Sequence, residues 1–294
     1  MALVKETWKD LVKILRENQV LSPTREARLL LARLLHTSPS RVYLFWDFDL
    51  DAVFLGNLYA MLEERLRGVP LQYVLGEWEF LSLPFEIERG VFIPRFDTEA
   101  WVEEAILFLR LLAQREPNIS ICDVGCGSGV IGISCAFWVP DLYVFGIDIS
   151  EKAVELSRKN AQRLGVSDRT SFVRSDLFEI FHDSGTRFDV ILANPPYVPL
   201  GDWYSLSREI REYEPKEALV AGEDGLKVIW RIIEEGVHFL KEGGFFFIEH
   251  DPRQEESIQE KVRRIPLLEY VRSIEDYNGR TRASVLQKRE EERK

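Results

Sequence analysis

The chain has 294 residues, 46% of them hydrophobic and 30% charged, with a formal net charge of −11. Those proportions suit a globular fold, and the acidic balance argues against a broad basic face for nucleic acid. There is no apolar run of the roughly 20 residues that cross a bilayer, and no basic head leads into an apolar core and cleavage site; a cytoplasmic protein without a membrane partner is expected.

Up to about Gly68 the pattern is helical. Trp8, Leu11, Val12 and Leu15 recur at three- and four-residue steps. Ser22-Pro23 reads as an N-cap followed by proline at the first helical position, opening a segment with Ala27, Leu30, Leu31 and Leu34 on one face. Ser38-Pro39 repeats the signal, and Phe54, Leu55, Leu58, Met61, Leu62 and Leu66 form another stripe. The stripes predict a small helical bundle over residues 1–70 with no chemistry of its own. From Leu71 to Ile93, aromatics and alternation in "EWEFLSLPFEIERGVFIP" predict a β-hairpin, and residues 71–95 read as a linker between two domains.

After Thr98 strands alternate with helices, which predicts an α/β domain over residues 96–287 with a mostly parallel sheet covered on both faces. The strands are "ISICDVG", "YVFGID", "TSFVRSD", "FDVILANPPY", "GFFFIE" and the closing "RASVLQ". The tail "KREEERK", residues 288–294, has no apolar anchor and is expected to fray. Cys122, Cys126 and Cys135 do not pair off and lack the CxxC spacing of zinc sites, so free thiols and no metal are expected. His36, His182, His238 and His250 are scattered without the spacing of a metal site or a triad.

Chemistry first enters at "DVGCGSG", Asp123 to Gly129. Glycines at 125, 127 and 129 let a strand turn sharply into a helix and let a ligand approach the backbone of Val124, Gly125, Cys126 and Gly127. Val130 stands where the dinucleotide fingerprint places its third glycine, which disfavours a pyrophosphate. Asp123 is suited to pair with an ammonium group, directly or through water. The next strand ends in Asp148, about 20 residues on, where an acid accepts from ribose hydroxyls. The third ends at Asp176-Leu177, an acceptor for an adenine amino group beside an apolar contact. An amino-acid end joined to a ribose and adenine is S-adenosylmethionine, bound at the C-terminal edge of the sheet where open α/β folds take their ligands.

The fourth strand runs into Asn194-Pro195-Pro196-Tyr197. Proline cannot donate to a sheet ladder, so the strand stops. The two prolines hold a stiff extended turn. If the Asn194 side-chain oxygen and the Pro195 carbonyl each accept one N–H of a planar NH₂ group, the nitrogen lone pair is aimed at the cofactor's methyl group. The same acceptors stabilise the charge that develops on nitrogen. Pro196 and Tyr197 complete the substrate pocket, with Tyr197 stacking on the planar group. Glu212 and Glu214 are not needed as bases, because the nitrogen's proton becomes acidic after transfer and leaves to water.

Here the sequence resembles the class I methyltransferases with an NPPY signature, and among them the peptide-chain release factor N5-glutamine methyltransferases. The resemblance covers nearly the whole chain. It rests on "GVPLQYVLGEWEF" (Gly68 to Phe80), "IPRFDTE" (Ile93 to Glu99), "DVGCGSG", "NPPY", "YEPKEALVAGEDGL" (Tyr213 to Leu226) and "YNGRTR" (Tyr277 to Arg282). One departure is Phe96, where the family usually has a second proline. Thr98 and Glu99 match the release-factor enzymes rather than the ribosomal-protein glutamine methyltransferases. The resemblance implies a Rossmann-like domain with a seven-stranded sheet, joined by a hairpin to an N-terminal helical domain that docks the substrate. It also implies methyl transfer to the glutamine of the release-factor GGQ loop. A monomer without direct nucleic-acid binding is expected. The competing readings are N-methylation of an exocyclic amine on a nucleic-acid base, or of a ribosomal-protein glutamine, and a non-catalytic cofactor-binding scaffold.

Overall fold

Apolar residues at three- and four-residue spacing bring helices α1 (Val4–Glu17), α2 (Pro23–Leu34) and α3 (Ala52–Leu66) around one core in the computed structural model, which describes residues 2–290. Leu11, Leu15, Leu30, Leu31 and Leu58 form its centre. Two short strands, β1 (Ala2–Leu3) and β2 (Asp49–Leu50), pair antiparallel. Ser22 makes no side-chain cap bond, so proline at the first position suffices to start α2. Ser38-Pro39 opens a 3-10 turn, Pro39–Phe45, and Asp51 caps α3 by accepting from the Phe54 N–H at 2.7 Å. Leu71–Leu75, expected as extended chain, forms a helical turn, α4. Leu71 and Leu75, four residues apart, both join the helical core, and Gly76 at φ 67° ends the turn. The hairpin itself is β3 (Glu77–Phe80) and β4 (Leu83–Glu86), turned by Leu81 and Ser82, both at positive φ.

Two compact units result: Met1–Trp78 with Arg208–Tyr213, and Glu79–Ser207 with Glu214–Lys294. Within the first, the buried Arg65 pairs with Glu26 at 2.7 Å and with Glu209 at 2.7 Å, tying the inserted segment to α3.

The second unit begins with α5 (Phe96–Ala113) and then alternates β5 (Ile119–Val124), α6 (Val130–Trp138), β6 (Leu142–Asp148), α7 (Glu151–Arg163), β7 (Thr170–Arg174) and β8 (Phe188–Ala193). After α8 (Arg208–Tyr213), which belongs to the first unit, come α9 (Lys227–Gly236), β9 (Leu240–Glu249), α10 (Glu255–Val262), β10 (Leu268–Glu275) and β11 (Thr281–Lys288). The seven-stranded sheet has the order β10-β11-β9-β8-β5-β6-β7. Strands β7, β6, β5, β8 and β9 are parallel, while β11 pairs antiparallel with β9 and β10. Register aligns Val124 with Ile147 on one side and Ala193 on the other, so the residues that follow these three strand ends share one edge. Every residue of β8 is buried, as a central parallel strand requires. The sequence reading did not mark β10, because an edge strand with one wet face carries few apolar residues. At the end, β11 includes Lys288, the Arg289 N–H donates to the Leu267 carbonyl, and residues 291–294 of the expected tail lie outside the described residues.

Candidate active site

Past Val124 the chain turns through Gly125, Gly127 and Gly129 at φ 70°, 57° and 80°, a region costly for residues with a Cβ. At Gly129 a Cβ would stand 2.6 Å from Ile133 Cδ1, so the turn also needs glycine for space. Two buried polar side chains from α7 hold the turn's carbonyls. Ser157 Oγ donates to the Gly127 oxygen and Asn160 Nδ2 to the Ser128 oxygen, both at 2.9 Å. Sequence reasoning passed over both; their signal is two polar residues three apart on a helix face otherwise made of Ala153, Val154, Leu156 and Ala161. Asp148 clamps the turn from β6. The Gly127 N–H donates to its Oδ2 at 2.9 Å and the Ser150 N–H to its Oδ1 at 2.8 Å. Burial pushes the Asp148 pKa up, and these bonds oppose the shift.

Beside the turn lies a cavity of about 300 Å³, at the lower end of the range for small-molecule sites. Its lining brings together Val124, Gly125, Cys126, Gly127, Asp148, Asp176, Leu177, Asn194, Pro195 and Pro196, all singled out from the sequence. Leu177 is held at φ 45°, a strained conformation for a branched side chain, of the kind that concentrates at functional sites. Asp176 Oδ1 accepts from Arg231 Nη1 at 2.9 Å. Arg231, Phe92 and Ile149 also line the cavity and were not foreseen as site residues, and Thr98, from the Ile93-to-Glu99 motif that the resemblance puts beside the pocket, joins them.

Two expected site residues stand elsewhere. Asp123 is fully buried and is not part of the lining. Its Oδ2 accepts from the Gly132 N–H at 2.8 Å, near the start of α6, and its Oδ1 has no partner. Burial pushes this carboxyl up to about 7, with the Asp148 charge adding to the rise. Tyr197 is also absent from the lining: its ring packs on the core beside β8, and its hydroxyl donates to Glu249 Oε1 at 3.1 Å.

Asn194 itself is half-buried, and its Nδ2 donates to Thr98 Oγ1 at 3.2 Å. Beyond Tyr197 the chain is pinned. Val198 forms a parallel bridge with Val220, and Gln254 Nε2 donates to the Tyr197 carbonyl at 2.9 Å. Gly225 packs so close that a Cβ there would stand 2.0 Å from that carbonyl.

Motifs far apart in sequence meet around this edge. The buried Glu214 accepts from the Ile93 N–H at 3.2 Å and from Arg95 Nη2 at 2.6 Å. Arg282 pairs with Asp97 at 2.8 Å and with Asp276 at 2.9 Å. Phe96, 63% exposed, packs against Tyr277 with ring centroids 5.1 Å apart and planes tilted by 39°, so the departure from proline at this position gives an aromatic pair at the start of α5. The arrangement offers carboxylate acceptors, apolar contacts at Ile149 and Leu177, and a side-chain amide beside two prolines.

Residues 100–207 match the family described as methyltransferase small domain, and residues 6–76 the PrmC N-terminal domain. The chain is 31% identical to the release factor glutamine methyltransferase of Aquifex aeolicus (strain VF5), over 90% of this chain and 91% of that one. It is 35% identical to the protein of the same name from Vibrio cholerae, over 90% of each. With that of Moorella thermoacetica the identity is 30%, over 98% and 99%. Among solved structures, a methyltransferase from Pyrococcus furiosus shares the fold at a TM-score of 0.51 and 16% identity, covering 79% of this chain and 98% of that one. The hMettl16 catalytic domain does so at a TM-score of 0.52 and 15% identity, covering 84% of each.

Proposed function

The chain belongs to the release factor glutamine methyltransferases, and from that premise we propose how its residues carry the reaction. The enzyme transfers a methyl group from S-adenosylmethionine to the glutamine of a release factor; we assign the acceptor as the side-chain amide nitrogen of the GGQ glutamine. The observation that carries the assignment is Asn194, fixed through its Nδ2 and lining the same cavity as Asp148.

The cavity fits the cofactor. A carboxylate at Asp148 suits ribose hydroxyls, Ile149 and Leu177 would flank a flat base, and Asp176, held by Arg231 through Oδ1, would accept from its amino group. The unpartnered Asp123 Oδ1 is a buried acceptor close behind the glycine turn, matched to an ammonium group through water. When bound, S-adenosylmethionine supplies a methyl group made electrophilic by its sulfonium.

An amide nitrogen is a poor nucleophile because its lone pair is delocalised. Asn194 Oδ1 and the Pro195 carbonyl each take one of the glutamine's N–H groups, which turns the lone pair toward the methyl group. The same two oxygens stabilise the positive charge that appears on nitrogen as the C–N bond forms and the methyl's bond to sulfur breaks, its electron pair staying with sulfur as a neutral thioether. One N–H proton, now acidic, then leaves to water. Tyr197 serves from behind the cavity by fixing the turn, rather than by stacking on the substrate. Recognition of the whole release factor falls to the first unit, which displays exposed Leu21, Tyr43, Leu44 and Phe48.

The test is a methylation assay on purified release factor, with DNA, RNA and a factor lacking the glutamine as controls. Asn194→Ala should keep S-adenosylmethionine affinity within about threefold while kcat falls by about 10²-fold or more, the usual effect of losing a donor or acceptor aimed at developing charge. Near-normal turnover at saturating substrate would remove Asn194 from the chemistry.

A further inference from the structure

Gly90, Val91, Phe92, Pro94 and Thr98 all line the cofactor cavity, so the stretch leading into α5 runs along it as a strap. Its first end packs on α7, where Val91 joins Ala153 and Leu156 in a small buried cluster. Its far end reaches Asn194, whose Nδ2 stands 3.2 Å from Thr98 Oγ1. Between the ends the strap meets a buried carboxylate. Glu214 Oε2 accepts from the Ile93 N–H at 3.2 Å and Oε1 from Arg95 Nη2 at 2.6 Å, with the Glu214 side chain 1% exposed. The Arg95 guanidinium in turn lies over the Phe92 ring, 4.7 Å from its centroid. Among the described residues Phe92 is the only aromatic one in the lining, since Tyr197 is turned toward Glu249. The Glu214 side is a wall as well: Pro215, Glu217 and Ala218 line the same cavity. Pro94 and Pro215 have no N–H to offer, so the two walls have fewer backbone donors with which to pair, and a side chain supplies the tie.

We infer that Glu214 is a positioning residue: through the Ile93 amide and the Arg95 guanidinium it holds the strap, and with it the Phe92 ring, closed along the cofactor. This rests on the reading of the cavity as the S-adenosylmethionine site. A carboxylate this buried is destabilising unless its charge is paired and its oxygens are bonded. Here one oxygen is bonded by Ile93 and the other by Arg95, two residues apart in the strap and 121 and 119 residues back in the chain. The closed strap is therefore the arrangement that satisfies the charge, and an opened one would leave Glu214 buried without either partner. The clamp also gives a role to the acid in "YEPKEA", which methyl transfer does not use as a base.

The test is Glu214→Gln, beside Arg95→Met, which removes the guanidinium and keeps an unbranched stem, and the double variant that carries neither charge. Hydrogen exchange read by mass spectrometry on the cofactor-free enzyme should show faster uptake in peptides covering residues 90–98, with the sheet strands unchanged. Calorimetry should show the Kd for S-adenosylmethionine rise about 10-fold, the scale of one lost charge-assisted hydrogen bond. In turnover on release factor the loss should fall mainly on the KM for S-adenosylmethionine, with kcat falling less. A role in stability alone would lower the melting temperature and leave both Kd and this split where they were. Because the two residues form one clamp, the double variant should lose no more affinity than either single one. It also carries the test if a single variant, left with an unpaired buried charge, fails to fold. Uptake at residues 90–98 that matches the unmodified enzyme, or a Kd within about twofold of it in the double variant, would overturn the clamp. Affinity losses that add in the double variant would overturn it too, since Arg95 and Glu214 would then act by separate routes. Failure of the unmodified enzyme to bind S-adenosylmethionine would instead remove the cavity assignment, and the exchange measurement would still decide whether Glu214 holds the strap.

Discussion

Changing Asp148 to asparagine keeps the size of the side chain and replaces one of its two acceptor faces by an NH₂ group. In the structure Oδ2 accepts from the Gly127 N–H at 2.9 Å and Oδ1 from the Ser150 N–H at 2.8 Å. Whichever way the asparagine turns, one backbone N–H at the glycine turn or at the start of α7 meets another donor. A lost hydrogen bond to a charged acceptor amounts to about 1.5–3 kcal/mol. At about 1.4 kcal/mol per tenfold, that weakens S-adenosylmethionine binding roughly 10- to 150-fold. The loss combines a looser turn with a poorer acceptor for the ribose, since one carboxylate serves both. Titration calorimetry reads it directly. At saturating cofactor kcat should stay within about threefold, because Asn194 is untouched. An affinity within about twofold of the unmodified enzyme would refute both roles of Asp148.

Asp123 makes a prediction about pH. Its carboxyl ionises near 7 in the fold against 3.8 ordinarily, so the unfolded chain loses its proton first. A raised acid pKa stabilises the fold fully below about pH 4; that stability drains as pH rises and is gone above about 7, a total of about 4 kcal/mol. Asp123→Asn carries no such charge, so without cofactor its melting temperature relative to the unmodified enzyme should climb from pH 5 to 7 and level off by pH 8. A difference independent of pH would mean that Asp123 titrates normally. At Gly225, alanine would need φ near 76° and would push a Cβ to 2.0 Å from the Tyr197 carbonyl. Gly225→Ala should therefore cost more than about 2 kcal/mol in denaturant unfolding and lower kcat by displacing the turn, and unchanged values would show that the backbone yields there freely.

The parts of the site written in one stretch of chain were legible without coordinates. "DVGCGSG" and "NPPY" each combine a strand, its stop and the functional atoms within a few residues, so local rules of backbone conformation suffice to place them. Alternating strands and helices likewise imply a parallel sheet, and a parallel sheet aligns Val124, Asp148 and Asn194 at one edge. Other readings depended on surroundings. Leu71–Leu75 looked extended, yet it coils because Leu71 and Leu75 find the helical core; β10 was missed because it is half wet.

What the sequence determined by itself, then, was the order of the elements and the chemical types at the strand ends, because both follow from periodicity and from what glycine and proline permit. Which atoms touch was decided only in three dimensions. Asp123 and Tyr197 sit beside the glycine turn and the proline turn in sequence, but the fold turns one toward the Gly132 N–H and the other toward Glu249. Thr98 and Asn194 lie 96 residues apart, and Arg95 and Glu214 119 apart, and nothing in either segment names its partner. A buried polar group must find a complement wherever the packed chain supplies one. That pairing depends on the closing of the whole sheet, and so the meeting of Asn194 with Thr98 belongs to the tertiary structure alone.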